Sequence, residues 1–219
     1  KVVPYSIGIS TPLSNFEASQ NYKTVQDPAI TVRFKVNDEA DTYFLAWTTT
    51  PWTLPSNLAL AVGEKIDYVR VKGCDGNTYL LAQALLGSFE KELGGKPDSL
   101  DIIETLPGKK LLGMTYEPLF DYFSDLKKKK AFQVISSGHV TTDAGTGIVH
   151  MAPAFGEDDF YACQNAGLPI VNPVDDDGKF TSEIPDLQGK MVKDADKEII
   201  QGLKKSEKLF RHDTLNHSY

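Results

Sequence analysis

The feature that most constrains this chain is a succession of short β-prone runs separated by turn residues over residues 30–81. Ile30-Thr31-Val32-Arg33-Phe34-Lys35-Val36 alternates apolar with polar side chains, the period-two pattern of a half-buried strand. Asn37-Asp38-Glu39 reads as a turn into a second β-rich run over residues 42–49, so the two predict a hairpin. Further runs lie at residues 58–62, 68–71 and 78–81, the last entered through the turn Cys74-Asp75-Gly76-Asn77. Strands are also expected at 131–135 and 147–151. Helices are expected at 83–93, stopped by Gly94-Gly95, and at 156–166, with Glu157, Asp158 and Asp159 in the first turn. The strongest helical period spans 194–210, with Ala195, Ile199, Ile200 and Leu203 on one face. Short strands with helices between and after them predict an α+β fold: a β-barrel-like core with flanking helices.

At 219 residues the chain predicts a single domain over residues 1–219, large enough to need no metal or disulfide to hold its core. Two cysteines, Cys74 and Cys163, make no disulfide scaffold and cannot alone ligate a structural zinc. With 23 basic against 30 acidic residues, the formal charge of −7 argues against a stand-alone electrostatic binder of nucleic acid. The run Lys127-Lys128-Lys129-Lys130 reads as a solvated turn or helix end. No apolar run reaches the ~20 residues of a membrane span, and no signal peptide is evident, so the expected location is cytoplasmic. Residues 1–12 and 211–219 are polar, lack a core face and read as linker-like ends, the pattern of an insertion excised from a larger protein.

Several standard sites are absent. Gly145-Thr146-Gly147-Ile148-Val149-His150 begins like a dinucleotide fingerprint but has His150 where the third glycine is required. There is no phosphate-binding loop and no nucleophile elbow. Asp175-Asp176-Asp177-Gly178 fails as a calcium loop, because Pro173 and Ile184 fall at ligand positions. His212 and His217 have no third ligand nearby, so no metal is expected.

Two stretches carry the chemistry. Trp47-Thr48-Thr49-Thr50-Pro51-Trp52-Thr53-Leu54-Pro55-Ser56-Asn57 ends a strand in three hydroxyls, with Pro51 interrupting the ladder. It is either a strand closed by a proline turn with tryptophan core plugs, or the mouth of a pocket with hydroxyls and an indole wall. The second, residues 145–159, sets Gly145 and Gly147 before a strand, His150 at its end and Asp159 in the first turn of the next helix. His150 is either simply packed or a donor to a hydroxyl or oxyanion. The helix-start carboxylates either complement the dipole or bind an ammonium.

Together these two stretches resemble the editing domain of isoleucyl-tRNA synthetase, a class I synthetase of the Val/Ile/Leu group. Ser10-Thr11-Pro12-Leu13-Ser14-Asn15-Phe16-Glu17-Ala18 and Val192-Lys193-Asp194-Ala195-Asp196 resemble the same family in its eukaryotic cytosolic form. The sister valyl and leucyl families carry other residues where this chain has Thr50, Trp52 and His150. Neither ATP-handling signature of the class occurs, so aminoacylation is not expected of this chain. The resemblance implies an aminoacyl-tRNA deacylase that hydrolyses valyl-tRNA(Ile), with valyl-adenylate as second candidate substrate. Its partners would be the valine-carrying 3′ acceptor end of tRNA(Ile) and the parent catalytic domain; the isolated domain would be a monomer, without membrane contact or cofactor. One methylene is worth only about 1–3 kcal/mol in an apolar pocket, a range for which this family is itself the standard example, hence the second sieve. The resemblance implies catalytic roles for Thr50, His150 and Asp159, with Asp159 binding the substrate ammonium. It implies that Thr48 and Thr49 position the ester with Thr50, that Trp52 and His150 exclude isoleucine, and that Gly145, Thr146 and Gly147 line the adenosine side. His150 is either a proton carrier or a steric wall, and the attacking group is a positioned water. The other readings are a valyl/leucyl-type editing domain, a free-standing deacylase and a non-catalytic tRNA-acceptor binding module.

Overall fold

The computed structural model of the chain describes residues 2–18 and 24–218. A two-stranded hairpin, β1 (Tyr5–Ser6) and β2 (Thr11–Pro12), and a short helix α1 (Asn15–Ala18) precede the main sheet. The sheet holds β3 (Thr24–Lys35), β4 (Thr42–Thr48), β5 (Ala59–Val62), β6 (Asp67–Lys72), β7 (Thr78–Ala82), β8 (Asp101–Pro107), β9 (Gln133–Ser136), β10 (Ile148–Met151) and β11 (Leu209–Ser218). The longer path runs β8-β6-β7-β4-β10-β5-β9, and β3 joins β4 to β11. Helices α2 (Glu90–Leu93), α3 (Glu157–Asn165) and α4 (Val192–Lys205) cover the faces, which makes the molecule α+β with a curled half-barrel sheet.

The alternation read from the sequence sets the inside of that half-barrel. Ile30, Val32, Phe34 and Val36 of the first hairpin join Phe44, Ala46, Leu60, Val62 and Leu80 in one core. The intervening Leu45, Val69, Val71, Tyr79 and Leu81 face the other way, under Leu86, Phe89 and Leu93. Ala59, Ala61 and Met151 likewise back onto Cys163 of α3. Strands covered on both faces read as nearly continuous apolar runs, which is why β5 and β7 show no alternation. Helix α4 closes the inner side with Val192, Ala195, Ile199, Ile200 and Leu203, each fully buried Ile or Leu contributing roughly 1.5–3 kcal/mol.

Strand β4 positions the site. One edge pairs antiparallel with β3 along residues 43–48. The other edge forks: Thr42, Tyr43 and Phe44 pair in parallel with β7, while Trp47 pairs in parallel with Val149 of β10. The wedge is filled by the turn before β10, whose Thr146 carbonyl accepts the N–H of Ala82. Gly147 takes φ +71°, and a Cβ there would lie 2.4 Å from that of Ala82, so only glycine fits.

Three expectations are corrected. Residues 211–218 are not linker-like, because they belong to β11 and pair with β3 from Leu209↔Val32 to Ser218↔Thr24. Residues 5–6 and 11–12 likewise pair with each other, and Lys1 and Tyr219 lie outside the described residues. The helix expected at 83–93 is a 3-10 segment, Gln83–Phe89, before α2, because its tighter winding sends Leu85 into the inner core and Leu86 into the outer one. The last helix stops at Lys205, where Glu207 turns left-handed at φ +57° and the chain enters β11.

Candidate active site

A cavity of about 420 Å³ opens at the carboxyl ends of the parallel neighbours β4 and β10. The register Trp47↔Val149 sets Thr48 level with His150, and both belong to the inward-facing set of their strands. Past Thr48, Pro51 breaks the ladder and the chain turns into a 3-10 segment, Pro51–Ser56. The first turn of that segment has no cap of its own, and Asp196 of α4 supplies one by accepting the N–H of Trp52 at 2.8 Å. The motif containing Asp196 therefore holds the threonine turn in place from another element.

Thr48, Thr49, Thr50, Gly145, Thr146, Gly147, His150 and Asp159 all line this one cavity, although they come from two distant stretches of sequence. Trp52 does not. It sits behind Phe155, ring on edge at 4.9 Å, while Phe155 and Trp47 line the cavity. The expectation that Trp52 forms the wall is corrected on that geometry: the proline turn carries its indole away from the strand end, and Trp47 supplies the indole instead. Thr146 spends its hydroxyl on Ile148 of its own turn, so the Gly-Thr-Gly run shapes backbone as much as it faces the cavity.

His150 is buried with both ring nitrogens engaged. Nδ1 lies 2.9 Å from Asn57 Nδ2 and Nε2 lies 2.9 Å from Thr53 Oγ1. Asn57 in turn accepts the hydroxyl of Tyr116 at 2.7 Å and donates to the carbonyl of Ala59 at 2.9 Å. Burial pushes the imidazole down to about 3, so it is neutral throughout the physiological range. An imidazole that does not titrate near neutrality and has no open nitrogen is a poor proton carrier, which favours the wall over the acid–base role.

Asp159 lies in the first turn of α3 and ties it to β10, since its Oδ2 accepts the N–H of Ala152 at 2.8 Å. Burial raises its carboxyl above the usual range, against the pull of that hydrogen bond and of nearby His139. A carboxylate that is costly to ionise alone, in a cavity, is well suited to a cationic ligand. Thr53, Asn57, Tyr116, His139 and Phe155 were not singled out from sequence. Thr53 and Asn57 stood inside the threonine stretch as polar residues among apolar ones, whereas Tyr116 carried no local signal at all.

The buried imidazole makes stability fall in acid. The unfolded chain takes up a proton near 6.5 that folded His150 refuses until about 3, so its contribution is complete above 6.5 and shrinks as pH falls through that window. Asp196, raised to about 6 by burial from 3.8, acts in the opposite sense as pH falls between those values. His150→Gln isolates the first effect. In urea titrations the stability of the wild-type chain relative to this variant should drop by about 2 kcal/mol between pH 7 and 5; a constant difference would mean that His150 takes up its proton as readily in the folded chain as in the unfolded one.

No protein-family model matches the chain. It is similar over its whole length to isoleucine–tRNA ligases: 61% identical over 220 residues to that of Bdellovibrio bacteriovorus and 50% over 220 to that of Protochlamydia amoebophila. The chain spans about one fifth of the length of these relatives, 20% and 21%. Among solved structures, the P. knowlesi cytosolic leucyl-tRNA synthetase editing domain matches with TM-score 0.63 at 14% identity, over 84% of this chain and 95% of that one. The P. falciparum counterpart matches with TM-score 0.63 at 10% identity, over 85% and 99%. At such identities the likeness concerns the fold. Over its full length, then, this chain matches a segment of the isoleucyl-tRNA synthetase family and has the fold of class I synthetase editing domains.

Proposed function

We propose that this chain is the proofreading domain of a longer isoleucyl-tRNA synthetase, one domain over residues 1–219, and that it hydrolyses valyl-tRNA(Ile). The observation that carries the reading is the convergence of the threonine run, His150 and Asp159 on one cavity, of a size suited to a small ligand. Asp159 anchors the α-ammonium of the valyl group by a charge-assisted hydrogen bond. Thr48, Thr49 and Thr50 hold the ester end, and His150 with Trp47 and Phe155 bounds the space for the side chain. With no serine or cysteine among the described residues that line the cavity, the attacking group is water. It adds to the ester carbonyl, the acyl–oxygen bond breaks, and the ribose oxygen of the terminal adenosine leaves with a proton. Orientation of that water, together with the substrate's own neighbouring hydroxyl, supplies the rate.

The test is release of amino acid from valyl-tRNA(Ile) and isoleucyl-tRNA(Ile) incubated with the chain. Valine should be released at least about tenfold faster, as one excluded methylene allows. Equal release of both, or of neither, overturns the reading.

A further inference from the structure

The hydrogen bonds behind the cavity have only one consistent direction. The amide of Asn57 is fixed because Nδ2 meets the carbonyl of Ala59 and Oδ1 meets the hydroxyl of Tyr116; the flipped amide would set two acceptors 2.9 Å apart. Its Nδ2 therefore donates to Nδ1 of His150, and the single ring proton must sit on Nε2. Nε2–H donates to Thr53 Oγ1, whose own proton goes to the carbonyl of Thr50 at 2.8 Å. Thr53 thus has no proton left for Thr50 Oγ1 at 3.3 Å, so Thr50 is the donor of that pair. By the same reasoning Thr48 donates to Thr50 across 3.2 Å, while Thr48 Oγ1 receives the N–H of Thr50 at 3.1 Å. Each hydroxyl proton is then spent within the protein. What Thr48 and Thr50 offer the cavity is a lone pair each.

We propose that Asn57 is a positioning residue that, its amide held by the carbonyl of Ala59 and the hydroxyl of Tyr116, fixes the tautomer of His150 and so sets the hydroxyls of Thr48 and Thr50 as hydrogen-bond acceptors toward the cavity. With the Asp159 carboxylate, this makes one side of the cavity an acceptor surface. It fits groups that bring protons: an ammonium, a ribose hydroxyl, or a water held by its hydrogens with a lone pair turned toward the ester. It cannot stabilise an oxyanion, which must find backbone N–H donors instead. Asn57 is buried and does not line the cavity, so it acts only through this chain of bonds. The tautomer claim is independent of the editing reading; the claim about what the acceptors hold rests on it.

The test reads the His150 ring by two-bond ¹H–¹⁵N correlation in the ¹⁵N-histidine-labelled chain, with His150→Gln to assign the signal. The wild-type ring should be the Nε2–H tautomer, unchanged from pH 8 down to 5. Asn57→Asp is the variant that reads this: with no donor left facing Nδ1, the ring proton should move there, and kcat for valine release should fall about tenfold, the loss of one buried hydrogen bond's orientation. A wild-type Nδ1–H ring overturns the proposal, as does a folded Asn57→Asp in which either the tautomer or kcat stays unchanged. If Asn57→Asp does not fold, the wild-type tautomer decides: an Nε2–H ring supports the proposal and an Nδ1–H ring overturns it. A wild-type chain that releases no amino acid overturns the editing reading alone, because the tautomer measurement needs no substrate.

Discussion

Asp159→Asn is expected to leave the chain folded and to slow valine release from valyl-tRNA(Ile) by roughly 10²–10³-fold, the scale of breaking one side of a buried ion pair. Asparagine is the informative replacement. Its side-chain oxygen can still accept the N–H of Ala152, the bond that ties α3 to β10, so the structural part of the role survives and only the charge is lost. Alanine would remove both and leave the Ala152 N–H unpaired, at a cost of about 1–3 kcal/mol. Glu157 and Asp158 cannot substitute, since neighbours on a helix point about 100° apart and both of these are exposed. An N-acetylated valyl ester provides the control. It has no ammonium, so wild type and Asp159→Asn should cleave it at similar rates. A folded Asp159→Asn with wild-type activity on the free-amine substrate would move the ammonium anchor elsewhere in the cavity.

His150→Ala should have the second largest effect, and the ratio of isoleucine to valine release is the quantity to follow. Truncation removes a buried ring at the cavity wall and leaves Asn57 Nδ2 and Thr53 Oγ1 short of a partner, each worth about 1–3 kcal/mol. The midpoint of denaturation should therefore drop, and valine release should weaken because Thr53 loses one of its two donors. Space for an extra methylene should at the same time raise the isoleucine-to-valine ratio, by at most the ~1–3 kcal/mol that one methylene is worth in this family's own standard example. The neutral, doubly bonded imidazole is the reason to expect this outcome over loss of a proton carrier. A folded variant that loses valine release with an unchanged ratio would make His150 a catalytic group after all.

Much of the fold was legible because it is written in local periodicity. The β3–β4 hairpin, the inner face of β3 and the buried stripe Ala195, Ile199, Ile200 and Leu203 of α4 follow from spacings of two and of 3.6 residues. β11 was not legible for the complementary reason. It is held by backbone hydrogen bonds along one edge, and none of its described side chains from Leu209 to Asn216 is buried, so no apolar pattern betrays it. The forked edge of β4 is likewise invisible, since pairing with β7 at one end and β10 at the other is decided by which strands the whole sheet brings alongside.

The candidate site divides the same way. The sequence by itself determined that two long stretches carry hydroxyls, glycines, an imidazole and a carboxylate in an order that structure alone does not demand. It also placed Asp159 in the first turn of a helix and His150 at the end of a strand, as found. Only the tertiary structure decided that Trp47 rather than Trp52 faces the cavity, because that depends on how sharply Pro51 turns the chain. Only it decided the state of His150. The ring's partners lie 93 and 97 residues away, and one of them, Asn57, is itself bound by Tyr116, 59 residues off in sequence. A side chain's identity is local, but its charge and the direction of its hydrogen bonds belong to the surroundings that folding assembles.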